Sequence, residues 1–258
     1  MMGKPILHYE VEGHGRPLLI LHGLFGSSLN WRSLARELSS GCRVYRVDLR
    51  NHGDSFHDAA MGYADMAGDV ASLIQTLGLA QADVLGHSMG GKVAMTLAHS
   101  HAQMVDRLIV ADIAPRAYSH DYDHLLGPLL QLDLAQFKSR TQADQALAEA
   151  IPERLLRQFL LQNLAMQDGE LRWKINLIAL ADSIDRITGF DDIGDWSMAQ
   201  PSLFIRGGNS DYVSDGDWAG LQRQFVNARL ETIDGAGHWL HAEKPAEFVG
   251  AVRRFLAE

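Results

Sequence analysis

One cysteine, Cys42, among 258 residues excludes a disulfide framework within the chain. The net charge is −9. Acidic and basic side chains are mixed along the sequence, so there is none of the positive stripe that a phosphate backbone requires, and nucleic acid is not an expected partner. The longest apolar run, "LLILHGLFG" from Leu18, is interrupted by His22 and falls far short of the roughly 20 residues that cross a bilayer. No membrane span is expected. The segment "MMGKPILHYEVEG" has neither a charged-then-apolar signal pattern nor a small-residue cleavage site, which points to a cytoplasmic protein. Internal repeats, low-complexity tracts and a phosphate-cradling glycine loop are also missing, and Lys92 reads as a helix residue. Nothing in the charge or composition indicates an oligomeric state.

What is present is a hydrophobic content of 47%, enough for one large domain or a core carrying an insert. The runs "ILHYEVEG", "PLLILHG", "CRVYRVDLR", "ADVLGHS" and "RLIVADIAP" are strand-like and alternate with helical patterns. Trp31, Leu34, Ala35 and Leu38 share one helical face, as do Met66, Val70, Ile74 and Leu77. This alternation predicts an α/β fold with a mostly parallel sheet covered on both faces. Strand runs return in "PSLFIRGG" and "ARLETIDGAGH". A last helix follows, with Pro245 in its first turn and Phe248, Val249, Val252, Phe255 and Leu256 as its stripe. Between these strand sets lie helical stretches, "QADQALAEA", "PERLLRQFLLQNLAMQ" and "INLIALADSIDRI", without a convincing strand. The expected organisation is a first core part over 1–115, a helical cap over 116–198 broken at Gly169 and at Gly189 to Gly194, and a second core part over 199–258. The Leu, Phe and Trp residues of the cap segments read as packing against the sheet.

"VLGHSMGG", Val84 to Gly91, joins a strand end to a helix through Gly86-His87-Ser88-Met89-Gly90. A tight strand-to-helix turn exposes the Ser88 hydroxyl and needs small neighbours at 86 and 90; the helix start then aims free N–H groups at the reacting centre. Met89 N–H is the expected first oxyanion donor. The His-Gly turn in "LILHGLFGSSLNW" offers a second, Leu24, with Phe25 as the alternative, while His22 is assigned to holding that loop. A general base that ionises near neutral pH points to histidine, and His238 on its Gly-Ala-Gly loop is chosen over His241, read as a surface residue. His87 is given no catalytic role. Phe25 and Trp239 are the candidate substrate contacts.

Taken together, "HGLFGSSLNW", "DLRNHGDS", "GHSMGGK", "FIRGGNSDYV" and "GAGHWLHAEKP" resemble the α/β-hydrolase superfamily, and within it the YbfF-type bacterial esterases. The resemblance covers nearly the whole core. It implies an eight-stranded, mostly parallel sheet, a Ser-His-acid triad, no cofactor, and hydrolysis of a small-molecule ester or thioester with water as second substrate. Most of the superfamily carries the acid after the penultimate strand, a spacing that falls here on Ser210, with Asp211 one position late. Some branches carry it after the strand following the nucleophile helix, where "LIVADIAP" offers Asp112, and the YbfF-type resemblance favours that location. Asp112 is therefore assigned as the acid, Asp211 is the alternative, and Ser210 is expected to donate a hydrogen bond near His238 or Asp112. Short to medium acyl chains, acyl-CoA among them, are the expected substrates; a carbon-carbon bond hydrolase or lyase, or a non-enzymatic receptor or interaction protein on the same fold, are the alternatives. Asp48, Arg50, Asn51, His52 and Asp54 read as a loop-bracing network. His120 and His124 read as a solvated face, and no metal site is expected.

Overall fold

The computed structural model describes residues 5–190 and 196–258. The readings made on Met1 to Lys4, and part of the break expected over 189–194, lie outside these residues. Every strand-like run of the sequence becomes a strand. The first five are β1 (Tyr9–Gly13), β2 (Arg16–Leu21), β3 (Cys42–Val47), β4 (Ala82–His87) and β5 (Val105–Ala111). A hairpin, β6 (Leu164–Gln167) and β7 (Glu170–Trp173), interrupts the middle of the chain before β8 (Ser202–Gly207) and β9 (Ala228–Ile233). The main sheet runs β1-β3-β2-β4-β5-β8-β9, with β1 antiparallel to β3 and the other pairs parallel. It has seven strands among the described residues, not the eight that the resemblance implied, because the sequence supplies only these strand-forming runs to it.

Successive strand residues point to opposite faces, which sorts the core into two layers. Leu18, Ile20, Ile109 and Leu203 pack against Trp31, Leu34, Phe248 and Val252, side chains of α1 (Arg32–Leu38) with its preceding turn and of the C-terminal helix. Leu19, Leu21, Val110 and Phe204 face the other way, onto α2 (Tyr63–Thr76) and α3 (Met89–Ser100) through Met66, Val70, Val93 and Leu97. Each such fully buried side chain contributes about 1.5–3 kcal/mol.

Register then sets the position of the chemistry. His87 pairs with Ala111 and Ala111 with Ile205, so β4 and β5 end at one level, two residues short of the end of β8. Ser88 and Asp112, the next residues, stay tied to that edge: Ser88 N–H donates to Ala111 O at 3.0 Å and Asp112 N–H to Ile205 O at 2.8 Å.

Between β5 and β8 lie α4 (Asp123–Gln131), α5 (Arg140–Leu147), α6 (Arg154–Leu161), the hairpin, α7 (Leu177–Asp182) and α8 (Ile184–Thr188). After β8 come α9 (Asp215–Gln224), α10 (Leu240–Glu243) and α11 (Pro245–Leu256). The hairpin corrects the reading of 152–167 as one helix. Asp168 and Gly169, at φ 51° and 82°, form a two-residue turn whose positive dihedrals match the twist of paired strands. No helix among the described residues is long and apolar enough to cross a membrane.

Candidate active site

Ser88 adopts φ 53° and ψ −121°, a strained conformation for a residue with a Cβ. The glycines around it leave no room for side chains. A Cβ on Gly86 would lie 2.1 Å from Gly90 O, and one on Gly90 would lie 2.4 Å from Leu21 O. The turn is thus packed against β2 through bare backbone, and α3 starts directly beneath the serine hydroxyl.

The Ser88 hydroxyl meets His238 Nε2 at 3.0 Å, and His238 Nδ1 meets Asp112 Oδ2 at 2.8 Å. A proton on Nδ1 donates to the carboxylate and leaves Nε2 free to accept from the serine. Asp112 is fully buried, and its carboxylate also accepts from Gly207 N–H at 2.9 Å and from the Ser210 hydroxyl. Asp211 is exposed, and among the described residues its carbonyl oxygen, not its carboxylate, is engaged, by Arg116. The adjacent Tyr212, which sequence reasoning left without a role, stacks on the His238 ring at 3.7 Å and 15° and fixes its plane.

The N–H groups of Met89 and Leu24 have no hydrogen-bond partner among the described residues, and both residues line a small pocket with Ser88. His22 holds the Leu24 loop as expected. Leu49 N–H donates to its Nε2 at 3.0 Å, which places the proton on Nδ1, and Nδ1 donates to Gly23 O at 2.8 Å. His87 Nε2 lies 2.9 Å from His238 O and braces the backbone of that loop. His241 is buried, not at the surface, because its ring stacks on Trp31 at 4.4 Å and 10°. Burial, together with neighbouring imidazoles, depresses the His87 pKa well below the usual value and takes that of His241 down to about 3.

Ser88 and His238 open onto a cavity of ≈270 Å³ whose apolar wall includes Phe25, Tyr122, Leu125, Leu156, Phe159 and Trp239. Leu125, Leu156 and Phe159 come from α4 and α6, so apolar residues of the segment between β5 and β8 serve the cavity as well as packing. Their sequence periodicity could not separate these two uses. A larger opening of ≈660 Å³, bordered by Arg116, Trp196 and Arg223, does not include Ser88 or His238.

The bracing network is built as read. Asp48 accepts from Ser28 N–H at 2.6 Å and from Asp54 N–H at 3.0 Å, and Arg50 pairs with buried Asp69 at 2.6 Å. His8, Asp48 and Asp54 bring ligand atoms within 4.8 Å of one another, but those contacts and the Lys174–Asp54 ion pair at 2.6 Å already account for the two carboxylates. His120 and His124 are exposed. Lys92 is more than a helix residue: its ammonium is buried, donates to Thr188 O at 2.9 Å and Gly189 O at 2.5 Å, and lies 4.9 Å from the Tyr118 ring centre. Burial, with a smaller effect from Arg116, lowers its pKa to about 7.

The chain is 39% identical over 246 residues to the esterase YbfF of Escherichia coli (strain K12), covering 95% of this chain and 94% of that one. It is 38% identical over 256 residues, 96% of this chain and 80% of the other, to the sn-1-specific diacylglycerol lipase ABHD11 of Danio rerio. A solved structure of a marine microorganism esterase superposes with a TM-score of 0.94 at 38% identity, covering 98% of this chain and 100% of that one. The family model described as the alpha/beta hydrolase fold matches residues 16–245. The chain belongs to the α/β-hydrolase fold family and resembles its YbfF-type esterases.

Proposed function

We propose that the protein is a serine carboxylester hydrolase that works through Ser88, His238 and Asp112. The observation that carries this reading is the unbroken line of hydrogen bonds from Ser88 through His238 to buried Asp112, opening onto an apolar cavity. Likeness to proteins named esterase and lipase supports it.

Ser88 Oγ attacks the ester carbonyl carbon while His238 Nε2 takes its proton. Asp112 holds the imidazole in the required tautomer and stabilises the cation that forms. The unused N–H groups of Met89 and Leu24 receive the oxyanion, each worth about 3 kcal/mol of transition-state stabilisation. His238 then protonates the leaving alcohol, and water activated by the same imidazole releases the acid from the acyl-enzyme. Ser210 supports Asp112, and Phe25 and Trp239 contact the substrate. The cavity size suits short to medium acyl chains, and thioesters such as acyl-CoA fit the same chemistry. Residues 116–198 act as a cap that supplies one cavity wall, between core parts 1–115 and 199–258.

A fluorophosphonate probe tests the nucleophile. Wild type should gain one phosphonyl group on the Ser88 peptide, read by mass spectrometry, and Ser88→Ala none. Labelling of Ser88→Ala at the wild-type rate would refute the assignment.

A further inference from the structure

Phe25 is a buried non-glycine residue at φ 61°, a conformation that persists only where neighbours enforce it. The neighbour is Asn163, a residue that nothing in the sequence marked. It follows α6 in the inserted segment, is itself buried, and its side-chain Nδ2 donates to Phe25 O at 2.8 Å and to Leu160 O at 3.1 Å. Its own carbonyl accepts from Lys174 N–H at 2.8 Å, just past the hairpin.

Following the peptide groups shows where this contact leads. Phe25 O and Gly26 N–H belong to one peptide unit, and Gly26 N–H donates to Gly23 O at 3.0 Å. Gly23 O and Leu24 N–H belong to the next unit in the path. In a planar trans peptide the C=O and N–H point in opposite directions, so fixing one end aims the other. Asn163 Nδ2–H, the 25–26 peptide and the 23–24 peptide therefore form a line of head-to-tail dipoles that ends on Leu24 N–H. Aligned hydrogen bonds polarise one another in a low-dielectric interior, so each donor in the line strengthens the next.

We infer that Asn163 is a positioning residue for transition-state stabilisation: through two peptide groups it orients and polarises the Leu24 N–H that receives the oxyanion. The inference rests on the serine-hydrolase reading above. It also links the inserted segment to the chemistry, since displacing α6 from the core would break the first bond of the line. The neighbouring contact, Asn30 Nδ2 to Gln162 Oε1 at 2.7 Å, joins the same two regions outside the line and provides the control.

The test separates transition-state from ground-state effects. Asn163→Leu and Asn163→Asp both keep the branching and heavy-atom count of the side chain and remove the amide donor, so one serves if the other does not fold. With p-nitrophenyl butyrate, kcat should fall about tenfold with KM within about twofold. Inhibition by butyl trifluoromethyl ketone provides the second readout. Ser88 Oγ adds to its carbonyl carbon, the serine proton moves to His238, and the carbonyl oxygen becomes the oxyanion. Its inhibition constant should rise by the same about tenfold factor. Gln162→Ala should change neither. A purely structural role would lower thermal stability while leaving the ketone constant at its wild-type value, and that result overturns the inference. If Ser88→Ala hydrolyses the ester as wild type does, the underlying reading fails; if Ser88→Ala is inert and folded Asn163 variants bind the ketone normally, only the Asn163 inference fails.

Discussion

Among the described residues, Ser88, Asp112 and Phe25 are three of five non-glycine residues with positive φ, and all three lie at the site. Such conformations cost of order 1–3 kcal/mol each and survive where packing determines them. For Ser88 the packing is backbone against backbone, which gives Gly90 its role. Gly90→Ala would press a methyl group to 2.4 Å from Leu21 O, so the turn must shift. The expected outcome is a loss of about 1–3 kcal/mol in denaturant unfolding together with near-complete loss of esterase activity. Unchanged stability and turnover would show that the turn is not held by close approach. Asp112 holds two hydrogen-bonded side chains on one oxygen, from His238 and Ser210. Ser210→Ala removes one and leaves the other, so kcat should fall no more than about tenfold, well short of the effect of losing the acid. This pairing fits the departure of "NSDYV" from the common spacing: the loop after β8 supplies a hydroxyl to Asp112, the proposed acid, at the end of β5.

The elements divide by how local their cause is. Strands and sheet-covering helices were legible because their patterns are local, and the faces of Leu18 and Leu19 or the stripe from Phe248 follow from alternation and helical period. The turn at Ser88 was legible because it needs glycine at fixed offsets. The hairpin at Asp168-Gly169 was missed although its turn signal was present, since the helical period of "PERLLRQFLLQ" ran into it. Tyr212, Asn163 and the buried state of His241 depend on contacts between distant segments, such as Trp31 with His241, and no window of sequence carries them. Lys92 belongs to the same class. One turn below Ser88 on α3, it grips the end of α8 with an ammonium buried among aromatic rings. Its folded pKa of about 7 is below the ordinary lysine value, so between these two pH values the unfolded chain binds the extra proton. Stability should therefore rise with pH from about 7 toward 10 on account of this group. Thermal melts of wild type and Lys92→Met over that range should differ in slope, the variant having lost the rise. Parallel slopes would show that Lys92 stays charged on folding.

At the scale of the whole molecule, His22, His52, His87 and His241 form a buried, neutral set around the ends of β2, β3 and β4. Burial lowers the pKa of each, to about 3 for His52 and His241. The unfolded chain takes up these protons first as pH falls. The stability linked to them is complete above the ordinary histidine value of about 6.5 and is lost progressively toward pH 3. Melting temperature should decline steeply below pH 6.5, by about 2–4 °C for each kcal/mol lost in a chain of this size. A flat melting temperature between pH 6.5 and 4.5 would contradict that picture.

The central claim, that Ser88 attacks with His238 as base and Asp112 as the acid, is tested most directly by turnover of p-nitrophenyl butyrate. Wild type, Ser88→Ala, Asp112→Asn and Asp211→Asn should be compared, with folding checked by circular dichroism. The account predicts no detectable turnover for Ser88→Ala, a fall in kcat of about 10³–10⁴ for Asp112→Asn, and near-normal rates for Asp211→Asn. Full activity in Asp112→Asn with a comparable fall in Asp211→Asn would contradict it.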